Sequence, residues 1–164
     1  MLKVGDKAPS FTLSNQDGLL VSLDDFKEKK IVIWFYPKAN TPGWTIEAQG
    51  FRDEFIKFED LNMIILGVSA DSVKKQKNFH KKYDFKFSLL SDENHDMLED
   101  YGVWGKKKFM GREYMGISRI TYIINQNRKI EKVYDKVSTK SHAKDILSDF
   151  LWIPNLQRYY LIKH

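Results

Sequence analysis

The sequence predicts an α/β protein in which helices flank a central sheet that is mixed but mostly parallel. Short β-rich runs alternate with helical segments along the chain, an order typical of parallel strands connected by helices. Three of the runs are almost wholly apolar, as expected of strands buried on both faces. These runs are Ile31–Phe35, Met63–Val68 and Arg119–Ile124. The 164 residues, of which 42% are hydrophobic, are enough for one domain with a sizeable core.

The other predicted strands are less apolar. Phe11–Ser14 and Leu19–Leu23 flank a turn that contains Asp17-Gly18, a dipeptide favoured in tight hairpin turns. Closer to the C-terminus, Lys129–Tyr134 alternates in hydrophobicity along its length. The sequence therefore predicts a hairpin before the central strands and a half-buried strand after them.

Helices are predicted between and after these strands. The first begins near Pro42, because proline suits the first helical position and the Thr41 hydroxyl can cap the helix. Phe51, Phe55 and Phe58 then recur at helical spacing. Three further helices are expected from about Ser72 to Tyr83, from near Asp92 to before Gly102, and from about Ser141 to Phe150.

The chain is predicted to contain one domain and a short C-terminal extension. The domain spans residues 1–151, and an aromatic tail follows over residues 152–164. Pro154 stops the last helix, since proline does not continue a helix. We expect Tyr159 and Tyr160 of the tail to pack on the domain or on a partner.

Charge and hydropathy exclude several classes of function. The net charge is +5, but the basic residues form short clusters without a nucleic-acid-binding motif, so we interpret them as solvated surfaces. No run approaches the roughly 20 apolar residues of a membrane helix. The N-terminus lacks the apolar segment of a signal peptide. We therefore expect a cytoplasmic protein with no nucleic-acid partner and no membrane partner.

The sequence contains no cysteine, which excludes disulfides, thiolate metal sites and thiol catalysis. The four histidines lack metal-ligand spacing, and the acidic run over residues 92–96 reads better as the first turn of a helix than as a cation site. Met97, Met110 and Met115 are interpreted as core or turn residues. No metal and no cofactor are therefore expected.

The segment over residues 37–53 is the best candidate for a functional site. It links a buried strand to a helix start, and ligands of open α/β sheets bind beyond the carboxyl ends of strands. The first turn of a helix offers free N–H donors and partial positive charge. Such a turn favours an anion or a thiolate.

Three blocks of the chain carry a resemblance to a known family. They are VGDKAPSFTL at residues 4–13, PKANTPGWTIEAQGFRD at residues 37–53, and YGVWGK with GREYMGISRITY at residues 101–106 and 111–122. In this order they resemble the peroxiredoxins, and in particular the bacterioferritin-comigratory (Q-type) group. The resemblance covers about residues 1–150 and implies a thioredoxin-like fold. It also implies the family activity, thioredoxin-dependent reduction of hydrogen peroxide and alkyl hydroperoxides.

Part of the site that the resemblance implies is retained. In the family a cysteine thiolate attacks peroxide, an arginine lowers the pKa of the thiol, a threonine polarises the peroxide and a proline shields the site. These roles map by resemblance onto Arg119, Thr41 and Pro37. Gly43 and Glu47 belong to the supporting motif, and Glu47 is the expected carboxylate partner of Arg119.

Both cysteines that the family pattern requires are replaced. The peroxidatic position is Trp44, and the resolving position, five residues later, is Gln49. Indole has one N–H donor, no usable lone pair and no acidic hydrogen that a base could activate. We therefore predict no thiol peroxidase activity. The family's thioredoxin-type reductant is correspondingly doubtful as a partner, and a monomer or weak homodimer is expected.

Several origins of the substitution remain open at the level of sequence. The chain can be a natural pseudoenzyme that keeps the fold for binding or regulation. It can be an engineered cysteine-free form of an active peroxidase, although serine or alanine is the usual engineering choice. It can derive from a UGA selenocysteine codon read as tryptophan. A different class is a binding module for a small molecule or anion that uses Thr41, Arg119 and backbone donors.

Overall fold

The computed structural model describes residues 1–151, and the predicted aromatic tail with Pro154, Tyr159 and Tyr160 lies outside the described residues. The strands are β1 (Thr12–Ser14), β2 (Leu20–Ser22), β3 (Lys30–Phe35), β4 (Met63–Ser69), β5 (Ser88–Ser91), β6 (Trp104–Phe109), β7 (Arg112–Ile117), β8 (Thr121–Ile124) and β9 (Ile130–Tyr134). The α-helices are α1 (Pro42–Asp53), α2 (Phe55–Asp60), α3 (Val73–Tyr83), α4 (Asp96–Asp100) and α5 (His142–Phe150). None of the helices in this part of the chain is long and apolar enough to cross a membrane.

The main sheet is mixed, with the strand order β2-β1-β5-β4-β3-β8-β9. The mixed sheet and its flanking helices agree with the predicted fold class. Parallel pairing is confined to β3 with β4 and β4 with β5, and the remaining pairs are antiparallel. The sheet is therefore less parallel than predicted. Helices connect β3 to β4 and β4 to β5, whereas the edge strands β2 and β9 are joined to β1 and β8 by hairpins.

Strand β3 shows why the core has two sides. Its side chains alternate between the faces of the sheet, and the residues of both faces are buried. Ile31, Ile33 and Phe35 join the apolar cluster on the side of α4. Val32 and Trp34 join the cluster on the side of α1, α3 and α5. A strand in this position must be apolar throughout, which is what the sequence predicted for it.

Two predicted helix starts are corrected by the structure. The Thr41 hydroxyl donates to the carbonyl of Lys38 at 2.9 Å instead of capping α1, although Thr41 does occupy the N-cap position. Helix α4 begins at Asp96 and not near Asp92. The Asp92 carboxylate accepts the backbone N–H of Leu98 at 2.8 Å, and the preceding residues form a turn. In both cases a local hydrogen bond competes successfully with the predicted helical geometry.

Three strands were not predicted. Strand β5 is a short buried strand of four residues, SLLS, in which two serines dilute the apolar signal. Strands β6 and β7 pair only with each other among the described residues and form a two-stranded ribbon. Strand β6 contains three consecutive lysines, and most side chains of β7 are exposed. Neither strand therefore shows the alternation of apolar and polar residues from which strands are predicted.

Candidate active site

The candidate site lies where β3 ends and α1 begins. The Tyr36 backbone N–H donates to the Val68 carbonyl at 3.1 Å, which extends the β3–β4 pairing by one residue. The chain then turns through residues 37–41, with Pro37 exposed. The Asp71 carboxylate accepts the Ala39 N–H at 2.8 Å and ties this loop to the segment after β4. The loop therefore stands at the carboxyl end of a parallel strand, where the sequence predicted a site.

A network of buried side-chain hydrogen bonds holds Asp71, which in turn binds this loop. The Tyr36 hydroxyl donates to the side-chain oxygen of Gln76, whose amide donates to the Ser69 hydroxyl at 3.0 Å and to the Leu90 carbonyl at 2.8 Å. The Ser69 hydroxyl in turn donates to the Asp71 carboxylate at 2.8 Å. Burial raises the pKa of Tyr36 well above its usual range, so its hydroxyl stays protonated. The loop is thus held by a connected polar network.

Trp44 and Arg119 stack against each other beside the start of α1. The guanidinium carbon of Arg119 lies 4.3 Å from the centroid of the Trp44 ring, well within cation–π range. Trp44 is half-buried and packs against the apolar cluster on the side of α1. Arg119 reaches this place because the carbonyl of Ile120 accepts the Phe35 N–H at 3.1 Å, next to the end of β3.

Glu47 faces the same guanidinium from one turn further along α1. Its side chain is 2% exposed, and Oε2 lies 3.9 Å from Nη2 of Arg119, too far for a hydrogen bond. Burial raises the pKa of Glu47 to about 7, and the positive charge of Arg119 opposes that rise. The predicted pair is therefore present as an electrostatic contact between a buried carboxyl and a partly exposed cation.

His142 is a member of this site that the sequence reading missed. Its Nε2 lies 3.7 Å from Oε1 of Glu47 and shares a hydrogen bond with the Thr121 hydroxyl at 2.8 Å. Burial lowers the pKa of His142 to about 4, Asp145 opposes that shift and Arg119 adds to it. At neutral pH the imidazole is therefore uncharged, and its contact with Glu47 is not an ion pair.

One signal in the sequence could have identified His142. The buried face of α5 consists of residues at helical spacing, and His142 falls on that face together with Ala143, Ile146 and Leu147. A histidine in the apolar stripe of a helix is buried and needs a polar partner. That partner, Thr121, begins strand β8 and could not be identified without the tertiary structure.

Three polar atoms of the site are buried without a hydrogen-bond partner among the described residues. They are Thr45 Oγ1, Glu47 Oε2 and Arg119 Nε. Two of these atoms belong to Glu47 and Arg119, which lie close to each other beside Trp44. The single N–H of the indole is a donor and cannot pair with the N–H of Arg119 Nε.

The structure brings together only some of the predicted site residues. Trp44, Glu47 and Arg119 form one contact group, as the resemblance implies. The Thr41 hydroxyl is engaged with Lys38, and Gly43 is exposed on the first turn of α1. Gln49 is half-buried and lies about 140° around the helix axis from Trp44. Positions 44 and 49 therefore face different directions while α1 is intact.

Thiols and clusters of metal-ligating side chains are absent from the part of the chain that the structure describes. Within residues 1–151 there is no group of three histidine or acidic side chains that could hold a metal ion. No thiol is present in the sequence. The polar atoms that remain can bind or orient a small polar group, since the guanidinium that contacts the indole also lies near a buried carboxyl.

Comparison with known proteins identifies what this site resembles. The model of the AhpC/TSA family matches residues 4–133. The "Putative peroxiredoxin bcp" of Haemophilus influenzae is 49% identical over 150 residues, which cover 92% of this chain and 96% of that protein. The "Peroxiredoxin Bcp" of Escherichia coli is 44% identical over 147 residues, covering 90% and 94% of the two chains.

Solved structures show the same similarity. The bacterioferritin comigratory protein of Xanthomonas campestris superposes with a TM-score of 0.81 at 33% identity, covering 85% of this chain and 89% of that one. The peroxidoxin BcpB of Mycobacterium tuberculosis gives a TM-score of 0.83 at 32% identity, covering 94% and 100%. The predicted thioredoxin-like fold is confirmed by these matches.

Proposed function

Because this chain belongs to the AhpC/TSA family, among its Bcp peroxiredoxins, and carries tryptophan at the peroxidatic position, we propose that it lacks thiol peroxidase activity. We further propose that the fold is retained for a binding or regulatory role. The observation that carries the proposal is the stack of Trp44 on Arg119. The arginine that would activate a thiolate is in contact with an indole that cannot be a nucleophile.

No neighbouring hydroxyl is placed to take over the reaction. The Thr41 hydroxyl donates to the Lys38 carbonyl, and Thr45 Oγ1 is buried without a partner among the described residues. An activated hydroxyl needs a base within hydrogen-bond reach. The histidine of the site, His142, is bonded to the Thr121 hydroxyl on β8, but Thr121 is 1% exposed and is therefore not accessible to a substrate.

The absence of cysteine also changes the expected partners. A thioredoxin-type reductant acts on a disulfide or a sulfenic acid, and this chain can form neither. We therefore do not assign it a thioredoxin-dependent cycle. We propose a cytoplasmic location and a monomer or weak homodimer, with no nucleic-acid or membrane partner.

A coupled assay tests the proposal directly. Peroxide consumption is followed through NADPH oxidation with thioredoxin and thioredoxin reductase, using hydrogen peroxide and an alkyl hydroperoxide as substrates. We expect the rate to equal that of heat-treated protein. Turnover above that control with either peroxide would overturn the proposal.

The origin of the substitution is a separate question with a simple test. Tryptophan and glutamine codons at positions 44 and 49 of the native gene would exclude engineering and leave the natural pseudoenzyme. Cysteine codons there would identify an engineered form of an active peroxidase. A UGA codon at position 44 would instead support a selenol at this position.

A second candidate function is the binding of a small anion at the same site. The observation that favours it is the buried Nε of Arg119, which has no hydrogen-bond partner within residues 1–151 and lies beside the start of α1. Isothermal titration with sulfate and with small carboxylates tests this candidate, with Arg119→Met as the matched control. Saturable heat that the substitution abolishes would support anion binding, and equal heats for both proteins would contradict it.

A further inference from the structure

The β6–β7 ribbon is a part of the fold that the candidate site does not use. At its base, Trp104 and Ile117 are paired across the strands and belong to the apolar core on the side of α4. The rest of the ribbon extends outward to the turn at Met110, which is 89% exposed. Among residues 1–151 neither strand pairs with the main sheet, so each has a free backbone edge.

One face of the ribbon combines aromatic and cationic side chains. Residues directly opposite each other in an antiparallel pair point to the same face. The register pairs Lys107 with Tyr114 and Phe109 with Arg112, and these residues lie two apart along each strand. We call these four residues the ribbon face. Each cross-strand pair joins a cation to an aromatic ring, and Phe109 and Tyr114 are 65% and 51% exposed.

The ribbon face is ordered by a glycine. A methyl group on Gly116 would lie 3.0 Å from the Tyr114 ring and 3.3 Å from Cγ of Lys107. The tyrosine ring and the lysine stem therefore pack closely over the backbone of Gly116. Such packing holds aromatic and cationic groups in place before any partner arrives, which lowers the entropic cost of binding.

The charge of the ribbon indicates the chemistry of its partner. Residues 104–117 contain four cations and one acid, so the segment has a net charge of +3. The single acid, Glu113, lies on the opposite face, 3.7 Å from Lys108. Lys107 and Arg112 contact no carboxylate in the described part of the chain. A second copy of the ribbon would bring like charges together, which is unfavourable, whereas an acidic strand would neutralise them.

We propose that the ribbon face is a docking surface for an extended acidic segment of a partner protein. The segment's carboxylates would pair with Lys107 and Arg112, and its apolar side chains would cover Phe109 and Tyr114. An extended polypeptide can also pair its repeating N–H and C=O groups with a free edge of the ribbon as an added strand, a pattern that neither a lipid surface nor a nucleic acid offers. This inference rests on the binding role proposed above and names the class of partner.

The test uses a random copolymer of glutamate and tyrosine as the probe, with the full chain at physiological ionic strength. We expect saturable binding in biolayer interferometry that Lys107→Glu with Arg112→Glu weakens by about tenfold or more. The matched control is Lys74→Glu with Lys77→Glu on the exposed face of α3, which makes the same change in net charge. That control is expected to stay within about twofold of the parent.

The apolar part of the surface needs its own pair of variants. Phe109→Ser with Tyr114→Ser is expected to weaken copolymer binding, whereas Leu20→Ser with Ile56→Ser, which also replaces exposed apolar residues, is expected to leave it unchanged. The proposal would be overturned if the two serine pairs weakened binding equally, or if the two charge-reversed pairs did so. It would also be overturned if the protein bound single-stranded RNA or phosphatidylglycerol vesicles more tightly than the copolymer. Any of these results leaves the peroxidase assay unaffected, so failure of this surface is distinguishable from failure of the proposed function.

Discussion

The guanidinium of Arg119 lies against the indole ring of Trp44, with 4.3 Å between its central carbon and the ring centroid. A positive group that serves a thiolate in the family is here attracted by the negative face of an aromatic ring. The same guanidinium remains 3.9 Å from the Glu47 carboxyl. Under the proposed assignment of Trp44 to the peroxidatic position, the reactive atom is absent and the electrostatic partner beside it is kept.

Restoring the thiol is expected to restore one chemical step. With Trp44→Cys, the thiol would stand at the N-terminal turn of α1 near Arg119, both of which lower a thiol pKa. We expect the variant to consume about one equivalent of hydrogen peroxide per chain, as the family chemistry implies for a single thiolate oxidised to sulfenic acid. Mass spectrometry of the protein, with Trp44→Ser as the control, measures this. An unreactive thiol in a folded variant would show that the surrounding shell has lost its catalytic geometry.

The stack of Trp44 on Arg119 is expected to contribute measurably to stability. A double-mutant cycle with Trp44→Leu and Arg119→Met isolates the contact between the two side chains from their separate contacts, including that of Arg119 with Glu47. We expect a coupling free energy of about 0.5–2 kcal/mol from urea unfolding, the range for partly desolvated cation–π contacts. A coupling free energy of zero would show that the two groups are merely adjacent.

The buried pair of Glu47 and His142 predicts two opposing effects of pH on stability. Glu47 has a folded pKa of about 7, raised from 4.5, so the folded state binds more protons and stability falls as pH rises between these values. His142 has a folded pKa of about 4, lowered from 6.5, so the unfolded state binds more protons and stability rises with pH across that window. In the overlap, between the two ordinary values, the two slopes oppose each other.

Glu47→Gln is expected to remove the effect of Glu47 on the pH dependence of stability and to leave that of His142. Relative to the parent, the free energy of unfolding of this variant should increase with pH up to about 7, by at most about 1.4 kcal/mol per pH unit. His142→Gln is expected to give the opposite difference, since only the falling contribution of Glu47 then remains. Urea unfolding at intervals between pH 4 and pH 8 measures both curves. Difference curves that are flat for both variants would contradict the assigned burial of the pair.

Two glycines in the fold are expected to respond differently to alanine. A methyl group on Gly67 of β4 would lie 2.9 Å from Leu89 and 3.0 Å from the Trp34 ring, inside the packed core. Gly67→Ala should therefore destabilise the protein by about 1–3 kcal/mol.

Gly50 of α1 provides the matched control. Its added methyl group would meet the Ala143 Cβ at 3.8 Å, an ordinary contact, and alanine favours the helical state by about 1 kcal/mol. Gly50→Ala is thus expected to be neutral or stabilising in thermal and urea unfolding. A cost for Gly50→Ala equal to that for Gly67→Ala would contradict the packing described for α1 against α5.

Much of the fold followed from local signals in the sequence. The buried strands β3 and β4 were identified by continuous apolar runs, and α1 by Pro42 at its first turn. Strands β5, β6 and β7 were not identified, because serines and lysines interrupt their apolar pattern. The β6–β7 ribbon buries only its base and so needs few apolar residues. Alternation of apolar and polar residues is therefore too weak in this segment to predict its strands.

The sequence by itself determined what is chemically missing, since an absent cysteine and the residues at positions 44 and 49 are facts of the primary structure. Only the tertiary structure decided what surrounds that loss. The contacts of Trp44 with Arg119, and of Glu47 with His142, join residues 75 and 95 positions apart. Such contacts depend on how β8 and α5 pack beside α1, and no local pattern of residues encodes that packing.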